Sequence, residues 1–161
     1  MNEAQCGYSH SPKGGDLLVL HGPSLKVDIG LDRNYVAGFG GRPKLDIKGI
    51  DALIDTGASE DFIDQSLATE LGLPLVDRRS VSAALSTDMA NVYMAQIHVI
   101  ALDRVILGRF AALALRSNDF AFDVVLGRTF LRRHSFTYDG RTGDVVIRRL
   151  DGAANIPSTG G

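Results

Sequence analysis

Apolar residues in this chain come in short runs rich in Val, Ile and Leu, each ended by glycine, proline or a cluster of polar turn residues. Runs of that length, bounded in that way, predict β-strands. They fall at residues 17–20, 25–29, 44–47, 52–54, 92–100, 105–107, 111–115, 123–126 and 144–148. Alternation is clearest where Tyr93, Ala95, Ile97 and Val99 share one face and Val92, Met94, Gln96 and His98 the other, as in a strand with two distinct surroundings. Only two stretches carry helical signals. Residues 64–72 offer Asp64 as N-cap, Leu67 and Leu71 one turn apart, Gly72 as a stop and Pro74 beyond it. Residues 129–134, close behind Gly127, form a shorter candidate. The pattern predicts a mainly β domain with one or two short helices.

The connections follow from turn chemistry. Residues 44–54 read as a hairpin turning at Lys48-Gly49, with a second arm that ends at Asp55. Residues 138–145 read as a turn in which Gly140 and Gly143 are available for positive φ. Residues 80–99 read as a long hairpin with its tip near Ser86-Thr87-Asp88, either a lid or an ordinary surface hairpin. Ile106-Leu-Gly-Arg-Phe110 and Val125-Leu-Gly-Arg-Thr129 nearly repeat, but their downstream residues differ. The first runs on into apolar residues and reads as a turn between strands; the second is a strand-to-helix junction. Residues 1–16 and 151–161, rich in small and polar residues, are expected to be a flexible leader and tail around a folded domain at 17–150.

Composition narrows the classes. A chain of 161 residues with 45% hydrophobic content suits a single domain with a proper core. A net charge of -2 with interspersed signs provides no basic stripe for nucleic acid and no polybasic patch for direct membrane contact. The one cysteine, Cys6, can form neither a disulfide framework nor a cysteine metal site within the chain. With no apolar stretch long enough to span a bilayer and no apolar signal core at the start, a cytoplasmic location is expected.

Chemistry concentrates in Ala52-Leu-Ile-Asp-Thr-Gly-Ala-Ser59, where a carboxylate stands between an apolar strand and a turn of small residues. A carboxylate delivered there loses hydration and needs hydrogen-bond donors, which Thr56 and Gly57 can supply. Asp-Thr-Gly by itself is also an ordinary tight turn. Other candidates are weaker. His10, His21, His98 and His134 have no metal-ligand spacing, so neither metal nor cofactor is indicated. Ser59 lacks a nucleophile elbow and a positioned histidine. Asp61 and Asp64 read as solvated or capping residues at the start of the helix. Gly38 to Gly41 lack the following helix that would make a phosphate cradle.

Order and spacing then add a resemblance. The Asp55-Thr56-Gly57 segment, Phe62-Ile63 with a short helix, Asp123-Val-Val-Leu-Gly-Arg-Thr-Phe-Leu131 and Phe136-Thr-Tyr-Asp139 together resemble a retropepsin-type aspartic protease domain over about residues 42–148. The likeness is closest to retroelement polyprotein proteases and their bacterial relatives. It implies a closed, barrel-like, single-lobed and homodimeric acid-protease fold. Asp55 then matches the catalytic aspartate, Thr56 the cross-link between paired loops and Gly57 the point of close approach. Leu126-Gly127 match the segment threaded behind the active-site loop. Ala58, Ser59, Ala84, Leu85, Ser86, Thr87 and Met89 are the substrate-binding positions it implies, residues 83–93 standing where the flap stands. Residues 85–89 depart from the pattern because they contain no glycine, and residues 17–41 have no family role.

One Asp-Thr-Gly in a chain of 161 residues leaves no room for a second lobe. The implied dyad is therefore Asp55 with Asp55 of a second copy, in a symmetric homodimer. The expected substrate is a polypeptide held in extended form, with hydrophobic preference set by Leu53, Ala83, Leu85, Met89, Val105 and Ile106. The alternative is a non-catalytic dimerisation or peptide-binding module on the same fold.

Overall fold

The computed structural model describes residues 2–83 and 86–150. The hydrophobic alternation is realised as strands β1 (Glu3–Gln5), β2 (Ser24–Gly30), β3 (Ile47–Ile54), β4 (Phe62–Asp64), β5 (Leu75–Ala83), β6 (Ser86–Val99), β7 (Arg104–Leu113), β8 (Val124–Leu126), β9 (His134–Asp139) and β10 (Asp144–Arg149). Among the described residues three α-helices interrupt them, α1 (Gly14–His21), α2 (Gln65–Glu70) and α3 (Arg128–Leu131), with 3-10 turns at Ile100–Leu102 and Arg116–Asn118. Strands β2-β3-β8-β4-β7-β6 lie side by side, and pairing of β2 with β6 closes them into a barrel. β5 extends β6 outward as a hairpin. Within the barrel β3 runs parallel to β8 and β4 parallel to β7. A separate sheet has the order β1-β10-β9. This is the mainly β, closed-barrel arrangement with few helices that was expected. Among the described residues no helix is long and apolar enough to cross a membrane.

The barrel interior is filled from alternate positions: Val27 and Ile29, Ala52 and Ile54, Ala95, Ile97 and Val99, with Leu67, Phe110 and Leu126. The opposite faces of β4, β6, β7 and β8 are also buried. Phe62, Val92, Ala111 and Val125 form a second cluster with Val81 and Ala90 of the β5–β6 hairpin, and Leu53 and Ala58 pack against it. Four strands are thus covered on both sides, and the hairpin is rooted in the same apolar layer as the loop after β3.

Several expectations are corrected. Residues 17–20 are helical, because a run of four apolar residues carries no period that separates helix from strand. The helix starts at Gly14, where a Cβ would stand 2.3 Å from the Thr142 carbonyl oxygen, so only glycine lets α1 rest on the β9–β10 turn. Residues 3–5, expected in a flexible leader, pair with Val146, Ile147 and Arg148 of β10. The hairpin expected at Lys48-Gly49 is instead a bulge within β3: Gly49 takes φ +64° and donates its N–H to Asp28 Oδ1 at 2.8 Å. Residues 44–46 belong to the loop before β3. Gly108 does not break the chain either; β7 runs straight through it, opposite Ala95. The tail expected at residues 151–161 lies outside the described residues.

Candidate active site

Parallel neighbours β3 and β8 end together and carry the site. Ile54 is buried, Asp55 is half-buried immediately beyond it, and Thr56 and Gly57 are exposed. The Asp55 backbone N–H donates to Leu126 O at 3.0 Å, continuing the β3–β8 ladder by one residue. Its side chain is fixed by the Gly57 N–H, which donates to Asp55 Oδ1 at 2.8 Å. The Ala58 N–H closes the turn onto Asp55 O at 3.2 Å. One carboxylate oxygen is therefore held from the turn behind it, which orients the group.

The second loop locks onto the first. Arg128 donates its backbone N–H to Ala58 O and Nη1 to Thr56 O, both at 2.8 Å. Thr129 Oγ1 donates to Ser59 O at 3.1 Å. Gly127 must be glycine, since a Cβ there would stand 2.3 Å from Glu60 O and 2.8 Å from Ala58 O. Leu126 and Gly127 thus lie directly behind the Asp55 loop. The backbones of Ala58 and Ser59 are engaged within this lock, with the Ala58 side chain in the second apolar cluster and Ser59 exposed.

Asp61 departs from its reading as a solvated or capping residue. It is 6% exposed, and its Oδ1 accepts from Gly127 N at 2.8 Å and from Phe130 N at 3.4 Å. Burial pushes its carboxyl up to about 6, against the lowering effect of those two N–H donors. Asp64 is the N-cap of α2, accepting from Leu67 N at 3.1 Å and from Arg116 N at 2.9 Å. Its carboxyl is held below the usual range by Ser66, the two backbone donors and the Arg116 charge, which together outweigh the effect of desolvation. His98 and His134 serve the scaffold. His98 lies between Asp28 (3.4 Å) and Asp103 (3.1 Å), and His134 stacks on Phe130.

The β5–β6 hairpin is rooted beside this loop: Val81 and Ala90 share an apolar cluster with Leu53 and Ala58, and Arg79 pairs with Glu60. Ser86 and Thr87, expected near its tip, pair with Ala83 and Ser82 inside the ladder, as does Asp88 with Val81. Ala84 and Leu85, expected to bind substrate, lie outside the described residues. Met89 pairs with Ser80 and is exposed. Beside Asp55 is a cavity of about 440 Å³ lined by Pro23, Ile54, Asp55, Thr56, Phe136 and Tyr138. Leu53 instead joins the second apolar cluster. Val105 and Ile106 are remote: Ile106 pairs with Ile97, Ile97 with Ile29 and Ile29 with Ile47, at the far end of β3. Phe136 and Tyr138 were missed as lining residues; their signal was the alternation Phe136-Thr137-Tyr138 on one strand face.

A family model described as "gag-polyprotein putative aspartyl protease" matches residues 44–133. No curated protein matches the chain. Among solved structures, the chain is similar to a retropepsin-like aspartic protease from Rickettsia conorii at 15% identity, covering 92% of this chain and 91% of that one with a TM-score of 0.52. It is also similar to EIAV protease complexed with the inhibitor HBY-793, at 15% identity over 68% of this chain and 85% of that one, with a TM-score of 0.45.

Proposed function

Because the chain belongs to the gag-polyprotein aspartyl protease family and has the retropepsin-like fold, we propose that it is an aspartic endopeptidase whose active site is completed by a second copy. The observation that carries this reading is Asp55 itself: a half-exposed carboxyl at a strand end, fastened by Gly57 N, with a cavity beside it. One such group cannot both accept a proton from water and donate one to a carbonyl. Two carboxyls a few ångströms apart share one proton, because repulsion opposes double ionisation.

In the reaction, the ionised Asp55 takes a proton from water as its oxygen bonds to the scissile carbonyl carbon. The protonated Asp55 of the other copy gives its proton to the carbonyl oxygen. Asp55 then passes the proton it took from water to the amide nitrogen while the other copy's carboxylate takes a hydroxyl proton from the tetrahedral diol, and the C–N bond breaks to give acid and amine with the dyad restored. Thr56 is proposed to tie the paired loops across the dimer axis, and Gly57 to allow their approach. Ala58, Ser59, Met89 and the segment 84–87 are proposed to contact an extended peptide, with Leu126-Gly127 as support.

The dimer face is proposed to be the surface around Asp55. β9 lies at the edge of its sheet, and Tyr138 is 52% exposed beside the cavity. Val19 and Leu20, at 84% and 72%, are exposed on the helix leading to Pro23. Apolar exposure of this kind next to an open strand edge marks an interaction surface.

The test compares wild type with Asp55→Asn on a diverse peptide mixture at acidic to neutral pH, with sedimentation on the same samples. Cleavage by wild type, lost by at least about 10³-fold in the variant while the dimer persists, is the expected result. Equal cleavage by both, or a wild type that stays monomeric while cleaving, overturns it. A dimer in which neither protein cleaves favours a non-catalytic binding module.

A further inference from the structure

Asp61 is a buried acid that the reaction does not use. Its carboxyl meets a peptide unit with two duties. The carbonyl of the Leu126–Gly127 peptide accepts the Asp55 N–H at 3.0 Å, and the N–H of that same peptide donates to Asp61 Oδ1 at 2.8 Å. A peptide is planar, so fixing its N–H fixes the direction of its carbonyl. Hydrogen bonds in series also strengthen one another. Asp61 is anchored in turn: its backbone carbonyl accepts from Ala111 N of β7 at 3.1 Å, and Phe130 N of α3 reaches the same Oδ1. The chain of contacts runs from β7 and α3, through Asp61 and one peptide plane, to the backbone of Asp55.

We propose that Asp61 is a positioning residue for Asp55, its carboxyl setting the Leu126–Gly127 peptide plane from which the Asp55 backbone hangs. This rests on the protease reading only for its effect on catalysis. Charged and titratable groups stand on the elements around it. Glu60 is adjacent and paired with Arg79 of β5. Arg128 of α3 is turned to Thr56 O. Arg109 lies on β7, and His134 stands under Phe130 at the start of β9. Asp64, at the end of β4, is held by Arg116, and Asp55 lies on the loop in front. With burial raising its carboxyl to about 6, Asp61 changes charge within the range where a carboxylate dyad works, and the grip on Gly127 N–H changes with it.

The test follows the Gly127 amide resonance by NMR and cleavage kinetics in wild type, Asp61→Asn and Asp61→Ala. A clamp gives a Gly127 amide shift that titrates with a midpoint near pH 6 in wild type and is flat in Asp61→Asn. In cleavage, Asp61→Ala loses at least about tenfold in kcat with KM changed less than about threefold. Asp61→Asn, which keeps an acceptor oxygen, restores most of the lost rate but loses the wild-type inflection near pH 6. A Gly127 amide that does not follow Asp61, or an Asp61→Ala enzyme with wild-type kcat, overturns the proposal. Should the wild type cleave nothing, the function reading fails while the Gly127 resonance still decides the clamp, as it does if Asp61→Ala does not fold.

Discussion

A carboxyl buried as Asp61 is costs the fold stability at neutral pH. Its folded-state value, about 6, lies above the ordinary 3.8, so between these values the native state holds a proton that the unfolded state has lost. Stability from this group is fully present below about pH 4 and falls as pH rises through about 6, by about 3 kcal/mol in all. Asp64 has the opposite sign: its lowered value supplies stability above the ordinary carboxylate range that disappears in acid. Thermal melts of wild type and Asp61→Asn should therefore nearly coincide near pH 4 and separate by about 5–10 °C at pH 7, the variant being higher; coincidence at both pH values would contradict a raised Asp61. Asp55 stands out in the sequence because an apolar strand, a carboxylate and two small turn residues are contiguous. Asp61 does not, because its partner, the Gly127 N–H, is 66 positions away. From local sequence it is indistinguishable from the other acids near a helix start.

At the level of elements, strands with two-residue alternation were readable, and β6 shows why. Its Tyr93 face enters the barrel core, while on the other face Val92 joins the second cluster and Gln96 and His98 are buried on hydrogen-bond partners, so both series are under constraint. The α2 cap was readable because Asp64, the Leu pair and Gly72 are local signals. What failed was punctuation by glycine. Gly49 and Gly108 look like turns in a sequence, yet neighbouring strands carry the chain straight through one as a bulge and through the other unbroken. The edge position of β9 was equally invisible, since it depends on β1 and β10 occupying the other side. That edge carries the dimer prediction. Tyr138→Asp places a charge on the proposed face without touching the barrel core. It should shift sedimentation toward monomer and abolish cleavage at dilute concentration, with recovery at high concentration. A variant that remains dimeric and active would move the interface elsewhere.

For the whole molecule, the fold is a barrel closed by β2 on β6 plus a small sheet whose pairing joins opposite ends of the chain. Glu3 lies opposite Arg148 and Gln5 opposite Val146, while Arg149 N donates to Asn2 O at 2.7 Å. Bringing such distant segments together carries the loop-closure entropy of nearly the entire described chain, in return for a seam three residues long. Such contacts form late on a folding path and open early under native conditions. The amides of Cys6, bonded to Val145 O at 2.8 Å, and of Arg149 should accordingly exchange with solvent at least about tenfold faster than those of Val27 and Ile97 in the barrel. Equal protection would mean that seam and barrel form as one unit. If the seam exchanges first, the pairing of these two strands acts as a latch, fastened after the barrel has closed and released before the barrel gives way.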